Sequence, residues 1–380
     1  MSKRSLHYSS MPAQIIFIVL IIMLALTNVP INPFHFMTEV EYAPSSISFI
    51  PKTTAKSDAD SIITPHHIID EVIPTNLEKT VRDLSFFYAR YTESEFIDDA
   101  AYWLVEKLQN VCSKDVYIHN FMQISDEDDN ANTQQQQQEE EEKMHTYYLK
   151  NIVCEKPGST NNTIMISAHY DSRMEDINNS TARAPGADDN ASGVSALLEV
   201  ARILSNISLN HSIIFVLFSG EEQGKWGSTY HADYIDKTDV DLDLLINLDM
   251  IGFSPQESND FLIEYDNGNV VQDNDIYSRA VAGFIKDIAP KYTNLNAILG
   301  VLGNADYLPF EALGYTVIGF HDDGVTKNPN HHTMTDTHDI LNYEYLTSAT
   351  KLVLATILNL DRLITSDNHD YAPSFLVKIQ

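Results

Sequence analysis

The segment from His211 to Gly224, HSIIFVLFSGEEQG, limits the possible folds of this chain more than any other. Residues 213–218 are apolar, β-branched or aromatic without interruption, and Ser219-Gly220 follows them directly. A run of this length that ends in turn residues is typical of a fully buried strand, since a helix needs more residues. We therefore expect a central strand here.

Two adjacent glutamates, Glu221 and Glu222, stand where this strand should end. Consecutive side chains of an extended segment point in opposite directions, so the two carboxylates could serve different roles at one place. An isolated pair of this kind is more often a solvated acidic turn. A functional interpretation therefore depends on polar residues elsewhere in the chain.

Strand-like and helical patterns alternate along the rest of the sequence. Such alternation favours an α/β sheet with helices on both faces. In sheets of this type, ligands bind beyond the carboxyl ends of the strands. The predicted strands are 116–122, 146–153, 163–168, 213–218, 244–248, 261–263, 297–299 and 316–320, and the predicted helices are two between 81 and 108, then 194–204, 228–235, 276–289 and 343–363.

Five side chains that could bind a metal lie at or near the predicted strand ends. Two imidazoles and three carboxylates suit zinc, and they would also accept cobalt or manganese. Five groups are too many for one tetrahedral ion with an open position, but they suit two ions about 3.5–4 Å apart that share a bridging carboxylate. The predicted ligands are His169, Asp188, Glu222, Asp249 and His332.

Two further carboxylates have predicted catalytic roles beside these ligands. Glu221 should face away from Glu222, which suits a general base that takes a proton from a water between the two ions. Asp171 lies two residues after His169 on the same predicted face. We expect Asp171 to accept the second imidazole N–H and so to fix the tautomer of His169.

Each of these residues also has an ordinary structural interpretation. His169 could be a core histidine, and Asp249 could form a turn before Gly252. Asp188 or Asp189 could cap the helix that follows. Five such explanations would have to coincide at successive strand ends, and for this reason we favour the metal site.

The combined motifs resemble those of the zinc aminopeptidases of the M28 peptidase family. The resemblance rests on HYDS (169–172), PGADDNASG (185–193), SGEEQG (219–224), NLDMIG (247–252) and HTMTDT (332–337), with a weaker match at 84–104. It implies a three-layer α/β/α sandwich with a mixed, mostly parallel central sheet and a zinc peptidase domain at 77–366. It also implies two Zn²⁺ per chain, peptide substrates, Asp188 as the bridging ligand, and Glu221 as the base.

One position departs from the family pattern, and two other functions remain open. Many members carry Ser-Asp-His where this chain has Ala305-Asp306-Tyr307, which puts substrate contacts near Phe310 in doubt. Zinc glutaminyl-peptide cyclases share HYDS and the glutamate pair but use one metal. A non-catalytic ectodomain of the same fold is the second alternative, although such proteins typically lose ligands and none is lost here.

Charge argues against one class of partner. The chain has 54 acidic and 24 basic side chains and a formal net charge of -30, whereas nucleic-acid binding draws on lysine and arginine patches. No nucleic acid is therefore expected as a partner. Part of the excess lies in 125–143, a Gln- and Glu-rich tract that is predicted to be a disordered insertion.

The N-terminus predicts entry into the secretory pathway. Lys3 and Arg4 precede the apolar run Ile15 to Leu26, which is the length of a signal-peptide core and shorter than the roughly 20 residues of a membrane span. We predict a signal peptide or uncleaved signal anchor at 1–36, a linker at 37–76 and a short tail at 367–380. The protein would then be secreted, or held at a lumenal or extracellular membrane face only through its N-terminal segment.

Glycosylation and a disulfide are expected in such a compartment. Six N-x-S/T sequons fit a glycoprotein, although sequons also arise by chance. Cys112 and Cys154 are the only cysteines; they flank the two predicted antiparallel strands and should pair in an oxidising lumen. Asn190 should stay unmodified because it lies inside the metal loop. The sequons are at Asn161, Asn178, Asn179, Asn190, Asn206 and Asn210.

The charged side chains near the predicted metal site indicate which end of a peptide substrate is cleaved. A carboxypeptidase needs basic groups near the metals to hold the terminal carboxylate of its substrate. The motif segments bring carboxylates instead, which suit a free α-ammonium group. We therefore predict an aminopeptidase that prefers an uncharged, apolar first residue.

Overall fold

The predicted central strand lies inside an eight-stranded mixed sheet. This computed structural model describes residues 65–112, 116–126, 144–177, 179–255, 258–322 and 328–363. Its strands are β1 (Val116–Asp126), β2 (Met144–Lys156), β3 (Asn162–His169), β4 (Ser212–Phe218), β5 (Asp241–Leu248), β6 (Asp260–Tyr265), β7 (Asn296–Val301) and β8 (Val317–Asp322).

The strand order is β1-β2-β4-β3-β5-β8-β6-β7. The four central strands, β4, β3, β5 and β8, run parallel, whereas β2 joins β4 and β6 joins β8 in antiparallel fashion. The carboxyl ends of β3, β4 and β5 therefore meet at one edge of the sheet. The predicted mixed, mostly parallel sheet is confirmed.

Helices cover both faces of the sheet. They are α1 (Pro65–Ile69), α2 (Pro74–Ser85), α3 (Ile97–Cys112), α4 (Gly193–Leu204), α5 (Trp226–Asp236), α6 (Asp275–Tyr292), α7 (Leu308–Glu311) and α8 (Tyr343–Leu363). The apolar side chains of α5 and α7 pack on one face, and those of the other six helices pack on the opposite face. The predicted three-layer α/β/α sandwich is therefore confirmed.

Strand β4 shows why the sequence adopts this arrangement. Ile213, Phe215 and Leu217 enter the larger apolar cluster, while Ile214 and Val216 enter the smaller one. All five are buried, and each buried aliphatic or aromatic side chain contributes roughly 1.5–3 kcal/mol. A polar residue at any of these positions would face a helix, so the uninterrupted apolar run is required.

The antiparallel hairpin and the disulfide are also confirmed. Strands β1 and β2 pair with Val116 opposite Cys154. Cys112 ends α3 and forms a disulfide with Cys154, with the two Cα atoms 6.1 Å apart. The disulfide thus joins a helix of one outer layer to the sheet.

Several predictions fall outside the described residues. These are the signal segment at 1–36, most of the linker at 37–76, most of the acidic insertion at 125–143 and the tail at 367–380. Within the described part of the chain, no helix has the length and apolar character needed to cross a membrane.

Candidate metal centre

Two neighbouring parallel strands and the segment before α4 bring the first group of polar side chains together. His169 is the last residue of β3, and Asp249 follows β5 directly. The Nε2 atom of His169 lies 3.4 Å from Oδ1 of Asp249 and 3.2 Å from Oδ1 of Asp189. These three side chains could hold one metal ion.

A second group of side chains contacts Oδ2, the other carboxylate oxygen of Asp189. Oδ2 of Asp189 is 3.0 Å from Nε2 of His332 and 3.0 Å from Nε2 of His331. The Nε2 atom of His332 is also 3.1 Å from Oε2 of Glu222. Asp189 therefore connects the two groups, one through each of its oxygens.

The structure corrects one residue of the predicted set, since Asp189 takes the place expected for Asp188. The carboxylate of Asp188 is fully buried and turned away from the cluster. Its Oδ1 accepts hydrogen bonds from the backbone N–H groups of Gly252 and Phe253, and its Oδ2 accepts one from Asn328. The other four predicted ligands, His169, Glu222, Asp249 and His332, do come together.

The glutamate pair differs in one respect from the sequence-based expectation. Strand β4 ends at Phe218, and Glu221 begins a turn in which its carbonyl accepts hydrogen bonds from the N–H groups of Gly224 and Lys225. The two side chains are therefore separated by the turn and not by strand alternation. Glu222 contacts His332, while the side chain of Glu221 remains partly exposed.

Asp171 holds the turn after β4 in place and makes only a longer contact with the imidazole of His169. Its carboxylate accepts hydrogen bonds from the backbone N–H groups of Glu221, at 3.3 Å, and Glu222, at 3.1 Å. Its Oδ1 is 3.7 Å from Nδ1 of His169, which is too long for a direct hydrogen bond, and its carbonyl oxygen lies closer, at 3.3 Å. Asp171 thus fixes the turn that carries both glutamates.

The buried side chain of Arg90 stabilises the segments that carry His169 and Asp189. Arg90 is fully buried, and its guanidinium donates to four backbone carbonyls. Among them are Tyr170, beside His169, and Pro185 and Gly186, just before Asp189. Burial lowers the pKa of Arg90 to about 10, although the nearby carboxylates of the cluster act in the opposite direction.

A second support comes from Asp336. Its carboxylate accepts the backbone N–H groups of Asp188, at 3.0 Å, and Asp189, at 3.2 Å. Burial raises the pKa of Asp336 to about 7. Arg173 contacts the cluster from the solvent side, where its Nε donates to Oε2 of Glu222 at 2.8 Å.

The electrostatic field of the cluster favours a cation. Burial by itself would lower the pKa of His169, but the charge of Asp249 and the adjacent carboxylates raise it well above its usual value. Burial would raise the pKa of Asp189, but the three imidazoles hold it well below its usual value. Asp188 differs, since burial and nearby carboxylates raise its pKa.

The donor atoms lie slightly closer together than the ligands of a bound zinc ion. Ligand atoms about 2.0–2.2 Å from a tetrahedral zinc ion lie roughly 3.3–3.6 Å apart. The contacts around Asp189 fall between 3.0 and 3.4 Å, so small outward shifts of the side chains would accommodate an ion. In addition, Oε1 of Glu222 is buried without a hydrogen-bond partner among the described residues, as expected for a ligand oxygen. The residues present therefore fit two zinc ions.

Tyr307 fills the position where the family pattern has a histidine. Its hydroxyl accepts a hydrogen bond from the N–H of Gly303 and donates one to Oε2 of Glu264. Tyr307 is thus fixed against β6 and does not reach the cluster of metal-binding side chains. Asp306, beside it, is fully buried, and burial raises its pKa to about 7.

Sequence reasoning missed four contributors: Asp189, His331, Arg90 and Asp336. Asp189 was missed because two adjacent aspartates cannot be told apart by spacing, and His331 because a histidine pair in a loop reads as surface. Asp336 lies within the HTMTDT motif, so its position was visible although its role was not. Nothing local distinguishes Arg90, whose acceptors lie up to 96 residues away.

Comparison with known proteins shows which family this chain resembles. Residues 151–357 match the profile of Peptidase family M28. A probable zinc metalloprotease of Pyrenophora teres f. teres is 28% identical over 200 residues, which cover 49% of this chain and 38% of the relative. Leucine aminopeptidase 1 of Sclerotinia sclerotiorum is 24% identical over 83% of this chain and 76% of its own length.

Solved structures share the fold. LapB from Legionella pneumophila superposes with a TM-score of 0.63, covering 80% of this chain and 76% of LapB, at 22% sequence identity. At that identity the likeness shows the fold alone. The match to the Pyrenophora protein spans about two fifths of that relative's length.

Proposed function

Because this chain belongs to peptidase family M28, we propose that it is a zinc-dependent aminopeptidase. The observation that carries the proposal is the position of Asp189, whose two oxygens connect the group of His169 and Asp249 to the group of His332 and Glu222. Such a shared carboxylate is what a two-metal hydrolytic site requires. Sequence relatives named as a zinc metalloprotease and a leucine aminopeptidase support the proposal.

Bound zinc would supply polarisation of the scissile carbonyl and activation of a water molecule. The residues of the chain hold and move the proton. Glu221 belongs to neither group of side chains that could hold a metal ion. Burial, together with Asp306 and the other carboxylates, raises the pKa of Glu221 well above its usual value. A carboxylate with a raised pKa is suited to take a proton from the attacking water and deliver it to the leaving amine. Asp171 and Asp336 keep the two loops in place through their backbone hydrogen bonds.

Recognition of the free N-terminus follows from the charges around the cluster. The nearest described cations are already engaged, since Arg173 is held on Glu222 and Lys225 donates to Asn304 at 2.7 Å. Neither is free to anchor a substrate carboxylate, whereas an α-ammonium group would meet carboxylates. An uncharged, apolar first residue remains our proposal for the preferred substrate.

A glutaminyl-peptide cyclase is the alternative enzyme, and a non-catalytic ectodomain is the alternative without chemistry. A cyclase would use one metal, and an ectodomain would use none. The presence of both groups around Asp189 favours the peptidase. Elemental analysis of the purified protein distinguishes the three, with two, one or no zinc per chain.

We also propose that the protein travels through the secretory pathway. The Cys112–Cys154 disulfide supports an oxidising compartment. Asn190 is fully buried and its amide donates to the carbonyl of Leu248, which suits an unmodified residue despite its sequon. The amino-terminal sequence of the mature protein and its sensitivity to a glycosidase test this route; a glycan-free protein that retains residues 1–36 and stays in the cytosol would contradict it.

The activity is tested with aminoacyl anilides and their N-acetylated counterparts on the zinc-loaded protein. Free aminoacyl anilides should be cleaved, and the acetylated forms should not, because acetylation removes the α-ammonium charge. A Gln-initial peptide that is cyclised in preference to being hydrolysed would instead identify a cyclase. Equal cleavage of free and blocked anilides would refute the aminopeptidase assignment.

A further inference from the structure

Three buried oxygen atoms near the loop between β6 and α6 (266–274) have no hydrogen-bond partner. Asp266 and Glu311 are fully buried, and Asn274 is almost so. Among the residues that the structure describes, Oδ2 of Asp266, Oε2 of Glu311 and Oδ1 of Asn274 accept no hydrogen bond. Buried oxygens are nearly always satisfied by a donor or a cation, so a group of three indicates a binding site.

The two carboxylates hold the same turn. Oε1 of Glu311, at the end of α7, accepts the backbone N–H groups of Val270 and Val271, each at 2.8 Å. Oδ1 of Asp266 accepts the N–H of Asn269 at 3.4 Å. Each carboxylate therefore uses one oxygen for the backbone of the loop, and its second oxygen remains for a ligand.

The amide of Asn274 has a fixed orientation. Its Nδ2 donates to the carbonyl of Tyr315 at 2.8 Å, and exchanging the amide nitrogen and oxygen would lose this bond. Ser278 connects Asn274 to Asp266, because its N–H donates to the carbonyl of Asn274 and its hydroxyl accepts the N–H of Asp266. The amide oxygen and the two carboxylate oxygens therefore belong to one small region of the fold.

The negative charge of this region is not balanced by a basic side chain. Arg279 lies at the same loop, but it donates to Oδ1 of Asn267 and lies over the ring of Tyr265. Burial raises the pKa of Asp266, and the charge of Glu311 adds to the rise. A bound divalent cation would neutralise both carboxylates.

Donor sets made only of oxygen suit a hard cation. Ca²⁺ accepts about six to eight oxygen ligands in a flexible arrangement, whereas Mg²⁺ demands a near-ideal octahedron. We propose that Asp266, Asn274 and Glu311 bind a Ca²⁺ ion that joins the loop between β6 and α6 to α7. Backbone carbonyls and water complete the coordination.

The proposed calcium site is remote from the candidate metal centre. Strand β6 runs antiparallel to β8, with Tyr265 opposite Ile318, so the loop after β6 lies at the edge of the sheet opposite the carboxyl ends of β3 and β5. The ion would stabilise the fold and take no part in hydrolysis. This inference does not depend on the proposed aminopeptidase function.

The competing explanation is that Asp266 holds a proton and Glu311 accepts a hydrogen bond from it. No cation is then required, and the protein would be indifferent to Ca²⁺. Binding of Ca²⁺ and its effect on thermal unfolding separate the two explanations.

The experiment uses the full chain, stripped of metal, reloaded with zinc and kept in calcium-free buffer. Calorimetric titration with CaCl₂ up to about 5 mM covers the Kd range of extracellular calcium sites. The wild type should bind Ca²⁺ with a Kd below about 1 mM, and its melting temperature should rise with Ca²⁺ by mass action. The same concentration of Mg²⁺ should not reproduce the rise.

Glu311→Gln keeps an acceptor for Val270 and Val271 but removes one ligand charge. Its Kd for Ca²⁺ should weaken by at least about tenfold, and its melting temperature should no longer respond to Ca²⁺. Asp266→Asn should behave in the same way and replaces Glu311→Gln if that variant does not fold. Asp273→Asn is the matched control, because Asp273 is an exposed carboxylate of the same loop outside the group of three.

Two results would overturn the inference. The first is a wild type that shows neither a heat of Ca²⁺ binding nor a shift in melting temperature up to about 5 mM. The second is Ca²⁺ binding that is unchanged in Glu311→Gln and Asp266→Asn, which would place the ion elsewhere in this acidic chain. Both results leave the aminopeptidase proposal intact, because that activity is measured with zinc alone.

Discussion

Two groups of buried histidines in this molecule behave in opposite ways. His169, in the candidate metal centre, and His231, on α5, are equally buried, each with about 1% of its surface exposed. The pKa of His169 lies well above its usual value, whereas burial lowers the pKa of His231 to about 3. The difference shows that burial alone does not decide what a histidine does.

The neighbours of each histidine explain the difference. His231 lies with His119 of β1 between aromatic rings, and their Nδ1 atoms are 3.4 Å apart. Burial lowers the pKa of His119 to about 4. The rings of Tyr117, Tyr230 and Tyr234 lie against the pair, and no carboxylate of the described residues contributes to the pKa shift of either histidine. Both imidazoles are therefore neutral parts of the core, here called the aromatic pocket.

In the candidate metal centre, carboxylates surround the imidazoles, whereas phenols surround those of the aromatic pocket. His332 shows this clearly: burial would lower its pKa, but Asp189 and Glu222 raise it to about 9. The same carboxylates that stabilise a proton on these rings would stabilise a metal ion in its place. The carboxylates around His169 and His332 therefore distinguish the candidate metal centre from the aromatic pocket.

The largest expected effect tests whether the metal centre is the reactive region. Replacing Glu221 by Gln keeps the shape but removes the proposed base, so kcat should fall by about 10³-fold while zinc remains bound. The measurement is kcat on an aminoacyl anilide together with metal content. The matched control is His119→Leu/His231→Leu in the aromatic pocket, which should keep near-normal kcat. A Glu221→Gln variant with near-normal kcat would move the base elsewhere.

The second test compares the adjacent aspartates Asp188 and Asp189. Asp189→Asn should weaken zinc binding by more than about 100-fold, because the carboxylate shared by both donor groups is lost. Asp188→Asn should bind zinc almost normally but unfold more easily, since its oxygens accept three protein hydrogen bonds. Elemental analysis and thermal unfolding check both. Normal zinc content in Asp189→Asn would refute our correction of the predicted bridge.

The smallest expected effect concerns acid stability and the aromatic pocket. The unfolded chain protonates its histidines near the ordinary pKa of 6.5, whereas folded His119 and His231 stay neutral down to about 4 and about 3. The unfolded state thus binds more protons below 6.5, and the free energy of unfolding falls as pH drops. Going from pH 7 to about 5.5 should lower the free energy of unfolding by about 1.2 kcal/mol for each histidine.

The double variant His119→Leu/His231→Leu should lose that part of the acid sensitivity. Replacing both hydrogen-bonding partners by apolar side chains should change stability little at neutral pH. Denaturant unfolding at the two pH values gives the comparison directly. An equal loss of stability in wild type and double variant would show that the aromatic pocket does not titrate as described.

The sequence was sufficient to predict most of the fold, and the reason is physical. Uninterrupted apolar runs such as 213–218 have few alternatives to a buried strand. Four of the five side chains predicted as ligands lie together in the structure, and each could be found because it stands beyond such a strand or in a recognisable motif. The choice between Asp188 and Asp189 could not be made in the same way. It depends on which carboxylate the backbone of Gly252 and Phe253 captures, and that is decided by tertiary contacts.

The same limit applies to the other positions that were missed. The extended conformation expected for Glu221 and Glu222 was wrong because the residue types of the pair do not reveal their backbone conformation. His231 and His169 look alike in sequence, since both stand beside apolar residues. Only the placement of carboxylates from distant segments separates them.

Arg90 bears on the order in which the protein matures. Its four carbonyl acceptors include Tyr170, Pro185 and Gly186, so polypeptide hydrogen bonds already fix the segments that carry His169 and Asp189. Metal insertion can therefore follow folding and need not drive it. Zinc should raise the melting temperature only through mass action, and a chain that is stripped of metal should keep its fold and accept the ions again.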